Sequence, residues 1–132
     1  MRTALSGVVV ICLLAGFGAC NPLDLNDNVL LAVTKLEAPA AASPTAPFTV
    51  TLTLVTGGCT SFNRIDVQHF EQGVRLIPLG TNSSIRHKDV VCLDVLKEEP
   101  HDVQLEPPFT NPYTVFVEQG VQPDVTATVQ IQ

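Results

Sequence analysis

Basic residues are scarce in this chain: Lys and Arg number 7 against 13 Asp and Glu, a formal net charge of −6 at pH 7. They form no cluster, and Arg86 with Lys88 is the nearest approach to one. Nucleic acid and anionic lipid headgroups both call for clustered Lys/Arg, so neither is expected as a partner. The acidic residues are scattered rather than blocked, which is the pattern of a solvated surface. No apolar run reaches the roughly 20 residues that a membrane-spanning helix needs. G-x-S-x-G, C-x-x-C, heptads and internal repeats are all missing, and so is tryptophan.

What the chain does have begins at its first residue. In MRTALSGVVVICLLAGFGAC a single positive charge, Arg2, precedes an apolar segment from Val8 to Phe17, and the small residues Gly18 and Ala19 follow. A basic start, a short apolar middle and small residues at a cut site make a secretory signal. A buried core helix would carry polar residues on one face, and none lies between Gly7 and Ala19.

The last four residues of that stretch, Phe17-Gly18-Ala19-Cys20, resemble the bacterial lipoprotein signal: an apolar residue, two small ones, then cysteine. The family pattern prefers Leu where Phe17 stands. The resemblance implies that Cys20 becomes the mature N-terminus and carries diacylglyceryl, usually with a further acyl chain. One chain holds a protein at a membrane marginally, whereas two or more anchor it stably. Asn21, in place of the Asp often found after the cysteine of inner-membrane lipoproteins, leans toward the outer membrane where the host has one. The expected organisation is a signal peptide over 1–19, a lipidated N-terminus and tether over 20–28, and one domain over 29–132 outside the cytoplasm. Removing the signal leaves about 113 residues, enough for one modest core.

Cys12 leaves with the signal and Cys20 is assigned to lipid. Cys59 and Cys92 remain, an even pair in an exported domain, which points to a disulfide. Closing a loop of about 34 residues contributes about 3–4 kcal/mol in the chain-entropy model. The alternative is a two-cysteine metal site, but no histidine stands at ligand spacing from either cysteine.

Alternation of apolar and polar residues dominates the mature chain. FTVTLTLVT (48–56) puts Phe48, Val50, Leu52 and Leu54 on one face and threonines on the other. VTATVQIQ (125–132) repeats the pattern, and YTVFVE (113–118) groups Tyr113, Val115 and Val117. Period two with Thr on the wet face predicts half-buried antiparallel strands. Short strands are expected at Ile65/Val67 and Val103/Leu105. VVCLDVL (90–96) reads as a less clean strand, with Val91, Leu93 and Val95 on one face and Val90, Cys92, Asp94 and Leu96 on the other. VRLIPL (74–79) reads as an edge strand, or the end of one, because of Pro78. NVLLAVTKLE (28–37) has a capping-box mimic, but its β-branched residues favour a strand. Turn residues at 57–58, 72–73, 80–82, 99–100, 107–108, 111–112 and 119–120 punctuate the scheme. The fold class expected is all-β: a single antiparallel sandwich of seven or eight strands after an N-terminal signal segment.

A Thr-rich strand followed by GGCTSF (57–62), a second cysteine some thirty positions on, a late YTVFV and a closing alternating strand are similar to small exported bacterial domains with immunoglobulin-like sandwiches. Those domains often carry Gly-Thr-Tyr where this chain has Asn111-Pro112-Tyr113, and an antibody-type domain would pair its cysteines beside a Trp. The resemblance implies architecture only, because sandwiches host many functions.

Chemistry is harder to find. Ser83 and Ser84 sit in an expected turn, and Ser84 and Lys88 are four apart rather than the three of S-x-x-K. Asn82-Ser83-Ser84 matches a glycosylation sequon, which a bacterial lipoprotein normally leaves unmodified. Glu98 and His101 have E-x-x-H spacing, but Pro100 disfavours the helix that would align them. His69 falls in register with Ile65 and Val67 and reads as a satisfied histidine at the edge of a core, while His87 and His101 read as surface residues. Gly57-Gly58 lies between strands rather than opening a helix, so it is no phosphate cradle. Phe70 and Phe116 point away from their strands' apolar faces and are candidates for an outer binding patch. No catalytic residue, metal or cofactor is assigned.

The function expected is a non-enzymatic, lipid-anchored binding or structural module of the bacterial cell envelope. It touches the membrane through Cys20 and has scope for a protein partner. The alternative is a protease inhibitor presenting loops 80–88 (GTNSSIRHK) and 106–112 (EPPFTNP), the second stiffened by its prolines. An envelope hydrolase ranks last.

Overall fold

The computed structural model describes residues 28–86, 89–93 and 95–132. Cys12 and Cys20, and with them the signal and lipidation assignments, lie outside the described residues, as do His87 and Lys88.

In chain order the elements are β1 (Asn28–Leu30), β2 (Val33–Glu37), β3 (Ala41–Ala42), β4 (Phe48–Gly57), β5 (Thr60–Phe70), β6 (Gly73–Asn82), the one-turn helix α1 (Ser83–Arg86), β7 (Leu96–Leu105), β8 (Tyr113–Val117) and β9 (Val125–Ile131). The all-β class holds. β4 forms as its alternation predicts: Val50, Leu52, Leu54 and Thr56 are buried, while Thr49 is exposed. β8 and β9 likewise bury Tyr113, Val115 and Val117, and Val129 and Ile131.

Two arms meet at the tight turn between β4 and β5, where Gly57 pairs with Thr60. In one arm β4 lies between β2 and β7, antiparallel to both. In the other, β6 pairs with β5 along one side, with β1 and β8 sharing the other side, and β9 and β3 extend the sheet beyond β8. One core cluster, containing Leu52 and Leu54 with Val74, Leu76, Val115 and Val129, fills the space enclosed by the curl.

The expected immunoglobulin-like sandwich of seven or eight antiparallel strands is therefore corrected in two respects. Nine strands form a single mixed, strongly curled half-barrel sheet rather than a clear two-sheet sandwich. Two of its pairings, β6 with β8 and β3 with β9, are parallel. Alternation reports which face of a strand is buried; it carries no information about the partner or its direction.

Three local expectations also change. Residues 90–93 and 95 are irregular rather than a strand, and Val91, Leu93 and Val95 are exposed. The strand instead starts at Leu96 and runs through the expected turn at Glu99-Pro100, which is possible because β7 is bonded only to β4 and an edge strand tolerates proline. Conversely, β6 is central although it contains Pro78. The Pro78 carbonyl accepts a hydrogen bond from the Leu31 N–H at 3.0 Å, where β1 takes over from β8 as the neighbour. A strand residue's nitrogen and carbonyl point to the same side, so the missing N–H falls in the gap between those two strands.

The segment 28–37 forms strand, as favoured, but in two pieces. β1 pairs with β6 and β2 with β4, so Leu31 and Ala32 carry the chain from one arm to the other. Asn28, given to the tether, already pairs with Thr81.

Candidate functional site

The strand directions place the two ends of the half-barrel far apart in character. One end holds the β4–β5 turn, the C-terminus of β6, α1, the loop before β7 and the start of β1. The other holds the β5–β6 turn and the loop from 106 to 112.

Cys59 and Cys92 form a disulfide at the first end, with their Cα atoms 5.0 Å apart. The bridge ties the irregular loop before β7 to the turn at Gly57 and Gly58, which take φ values of +115° and +61°. A side chain at Gly57 would run into the carbonyl of Val95, so this close approach requires glycine. Gly58 N–H donates to that same carbonyl at 3.1 Å. Structural disulfides persist mainly outside the reducing cytoplasm, so the bond is a hint of a non-cytoplasmic domain.

At the second end lies a groove of about 450 Å³. Its floor is apolar: Phe109 and Tyr113 pack edge to face at 5.0 Å, and Phe48 closes against Phe109 at 4.8 Å. Its rim carries His69, Glu71 and Glu106. Burial pushes the Tyr113 phenol up from its ordinary 10.0. The 106–112 wall is fixed at several points. Thr110 Oγ1 donates to the Glu71 carbonyl at 3.2 Å, Asn111 Oδ1 accepts from the Ile131 N–H at 3.0 Å, and the Phe109 ring is buried. The Pro107-Pro108 and Asn111-Pro112 peptides are cis. A loop fixed by these hydrogen bonds and by its buried Phe109 ring loses little freedom on binding. An apolar floor beneath two carboxylates suits a ligand or peptide with both an apolar and a cationic group.

The remaining sequence candidates do not converge on chemistry. Ser84 donates through both its backbone N–H and its Oγ to Asn82 Oδ1, at 3.0 and 2.6 Å, an Asx-type closure of the turn into α1. Glu98 and His101 point to opposite faces of β7: His101 sits opposite Leu52 and Glu98 opposite Val55. The His101 ring stacks on Phe62 at 3.9 Å, and its buried Nε2, 3.7 Å from Glu99 Oε2, has no hydrogen-bond partner among the described residues. It is a half-buried residue at the core's edge rather than the surface residue expected. His69 is exposed. Among the described residues no three of His, Cys, Asp and Glu stand together as a metal site would require.

Phe70 and Phe116 are brought together, with ring centroids 5.5 Å apart. Phe70 lies over Gly73, where a Cβ would stand 2.8 Å from its ring, so the two aromatics partly cover one another. Of the segments expected to present an inhibitor, residues 80–86 and 106–112 lie at opposite ends and do not form a common edge. The groove itself was not foreseen: residues 69–71 and 106–113 meet only through strand pairing. A rigid Pro-rich loop bracketed by two strands was its one sequence signal.

No family model, curated protein or solved structure matches the chain.

Proposed function

We propose that the chain is an exported, lipid-anchored, non-enzymatic binding module of the bacterial cell envelope. The observation that carries this reading is Phe17-Gly18-Ala19-Cys20, a lipoprotein-type signal placed eight positions ahead of the first strand. The Cys59–Cys92 disulfide supports an oxidising compartment, and the sequence carries neither G-x-S-x-G nor S-x-x-K to recommend an enzyme. The groove bounded by Glu71, Glu106, Phe109 and Tyr113 is its ligand-facing surface, at the end of the domain remote from Asn28.

Fractionation of a lipoprotein-processing bacterial host tests the reading. Wild-type protein is expected in the detergent-extractable membrane fraction and Cys20→Ser protein outside it. Equal partitioning of the two would overturn the anchor. Turnover of ester, peptide or glycoside substrates, abolished by one polar substitution, would overturn the non-enzymatic assignment.

A second reading, a protease inhibitor, is favoured by the fixation of loop 106–112 at Phe109, Thr110 and Asn111. Titration against cysteine and serine proteases decides it, and undiminished protease activity removes it.

A further inference from the structure

Among the described residues, the large apolar side chains left exposed are concentrated at the disulfide end; only Val67 and Phe70 lie elsewhere. Leu93 is 70% exposed, Leu96 73% and Val121 fully so. They gather at one end of the half-barrel. Leu30 and Leu96 line the same shallow cleft, Leu30 and Val121 line its neighbour, and Leu93 and Val95 run beside Gly58 and Gly57. The disulfide holds the loop that carries Leu93 and Val95 against the β4–β5 turn. An exposed apolar surface of this kind marks a protein or membrane contact.

We propose that this end docks on a lipid bilayer, with Leu30, Leu93, Val95, Leu96 and Val121 seated in the boundary between headgroups and acyl chains. The proposal rests on the reading of Cys20 as the anchor. β1 starts at this same end, where Asn28 pairs with Thr81. Eight residues reach at most about 29 Å even when fully extended. A lipidated Cys20 therefore keeps the apolar end within that distance of the bilayer, at a high effective concentration.

The backbone favours lipid over a second protein. Residues 90–93 and 95 belong to no strand, and apart from the Val95 carbonyl, which accepts from the Gly58 N–H, their backbone groups would need partners in a dry protein interface. The headgroup region is wet and supplies them. Charge sets the lipid class: the chain is acidic overall and the patch is bordered by both signs, Asp89 and Glu98 with Lys97, so docking runs through apolar insertion into zwitterionic lipid. The groove then faces away from the membrane.

The chain has no Trp, which makes single-Trp reporters clean. The mature protein, purified from a lipoprotein-processing host, is placed on phosphatidylcholine vesicles with and without brominated acyl chains. Three variants are compared: Leu93→Trp, Val121→Trp, and Gln104→Trp at the groove end. All three positions are exposed, so each variant should fold. Emission from positions 93 and 121 should move to shorter wavelength and be quenched roughly twofold or more, as for side chains about 5–10 Å into the boundary. Position 104 should do neither. Identical behaviour of the three reporters on vesicles overturns the proposal. So does a short-wavelength shift at 93 and 121 without lipid, which would mean that a second copy covers the patch.

The mass of the N-terminal peptide from the same sample separates the two readings. A lipidated Cys20 with unquenched reporters keeps the anchor and removes the docking. An unmodified Cys20 with quenched reporters on added vesicles does the reverse.

Discussion

The Gln119 side-chain oxygen accepts a hydrogen bond from the Val33 N–H at 2.9 Å, across 86 positions of sequence. Gln119 is buried, and its Nε2 donates to the Pro123 carbonyl at 3.1 Å. One side chain thus fixes the β8–β9 turn and satisfies the backbone where the chain enters β2 after crossing between the arms. Gln119→Ala leaves the buried Val33 N–H unpaired and should cost about 1–3 kcal/mol. Urea unfolding measures it; a change of a few tenths would mean that water replaces the amide.

Gly73 is predicted to be the least replaceable glycine of β6. A Cβ there would run into the Thr114 carbonyl and stand 2.8 Å from the Phe70 ring. Gly73→Ala must therefore push apart β6 and β8 or displace Phe70. Overpacking of this sort costs typically about 1–3 kcal/mol. The expected outcome is a lowered thermal midpoint, with a partial rescue in Gly73→Ala/Phe70→Ala because the ring is one of the two obstacles.

The Cys59–Cys92 bridge spans 33 positions. Replacing both cysteines with serine, or reducing the bond, should lower unfolding free energy by about 2–4 kcal/mol. The β4–β7 ladder lies largely away from the bridge, so the core should remain folded. The released loop carries Val91, Leu93 and Val95, and its amides should exchange faster by hydrogen–deuterium exchange. Unchanged exchange in that loop would show that its position does not depend on the bond.

Tyr113 supplies a pH dependence. Its phenol is raised above 10.0 by burial, so the native state disfavours the phenolate. The unfolded chain releases that proton first. Its contribution to stability is therefore complete below pH 10.0 and is lost as pH rises from there through the raised native value. Tyr113→Phe should unfold like wild type at pH 7 and show a shallower alkaline decline. Denaturant midpoints on both sides of pH 10.0 provide the check.

Much of the inner face was legible in the sequence because burial and solvation alternate along a strand. Val50, Leu52 and Leu54 against threonine in β4, and Val129 and Ile131 in β9, are buried as their period implies. Pairing was not legible. The alternation of Tyr113, Val115 and Val117 is the same whether β8 runs parallel or antiparallel to β6. Proline misled in both directions, since its effect depends on which side of a strand is bonded. Pro100 sits on an edge and ends nothing, while Pro78 lies in a central strand opposite a gap between neighbours. The apolar run at 90–96 has the composition of a strand, but its residues 90–93 and 95 are held instead as an exposed loop by the disulfide. The groove was hidden for the same reason as the topology: Thr110 and Glu71, hydrogen-bonded at 3.2 Å, are 39 positions apart.

The central claim, that this domain is anchored through its own N-terminal cysteine, is tested most directly by the intact mass of the N-terminal peptide from protein made in a lipoprotein-processing host. The account predicts a peptide that begins at Cys20 and carries the mass of diacylglyceryl with a further acyl chain. A peptide that begins elsewhere, or an unmodified Cys20, would contradict it and leave Cys20 a free thiol or a partner in an intermolecular disulfide.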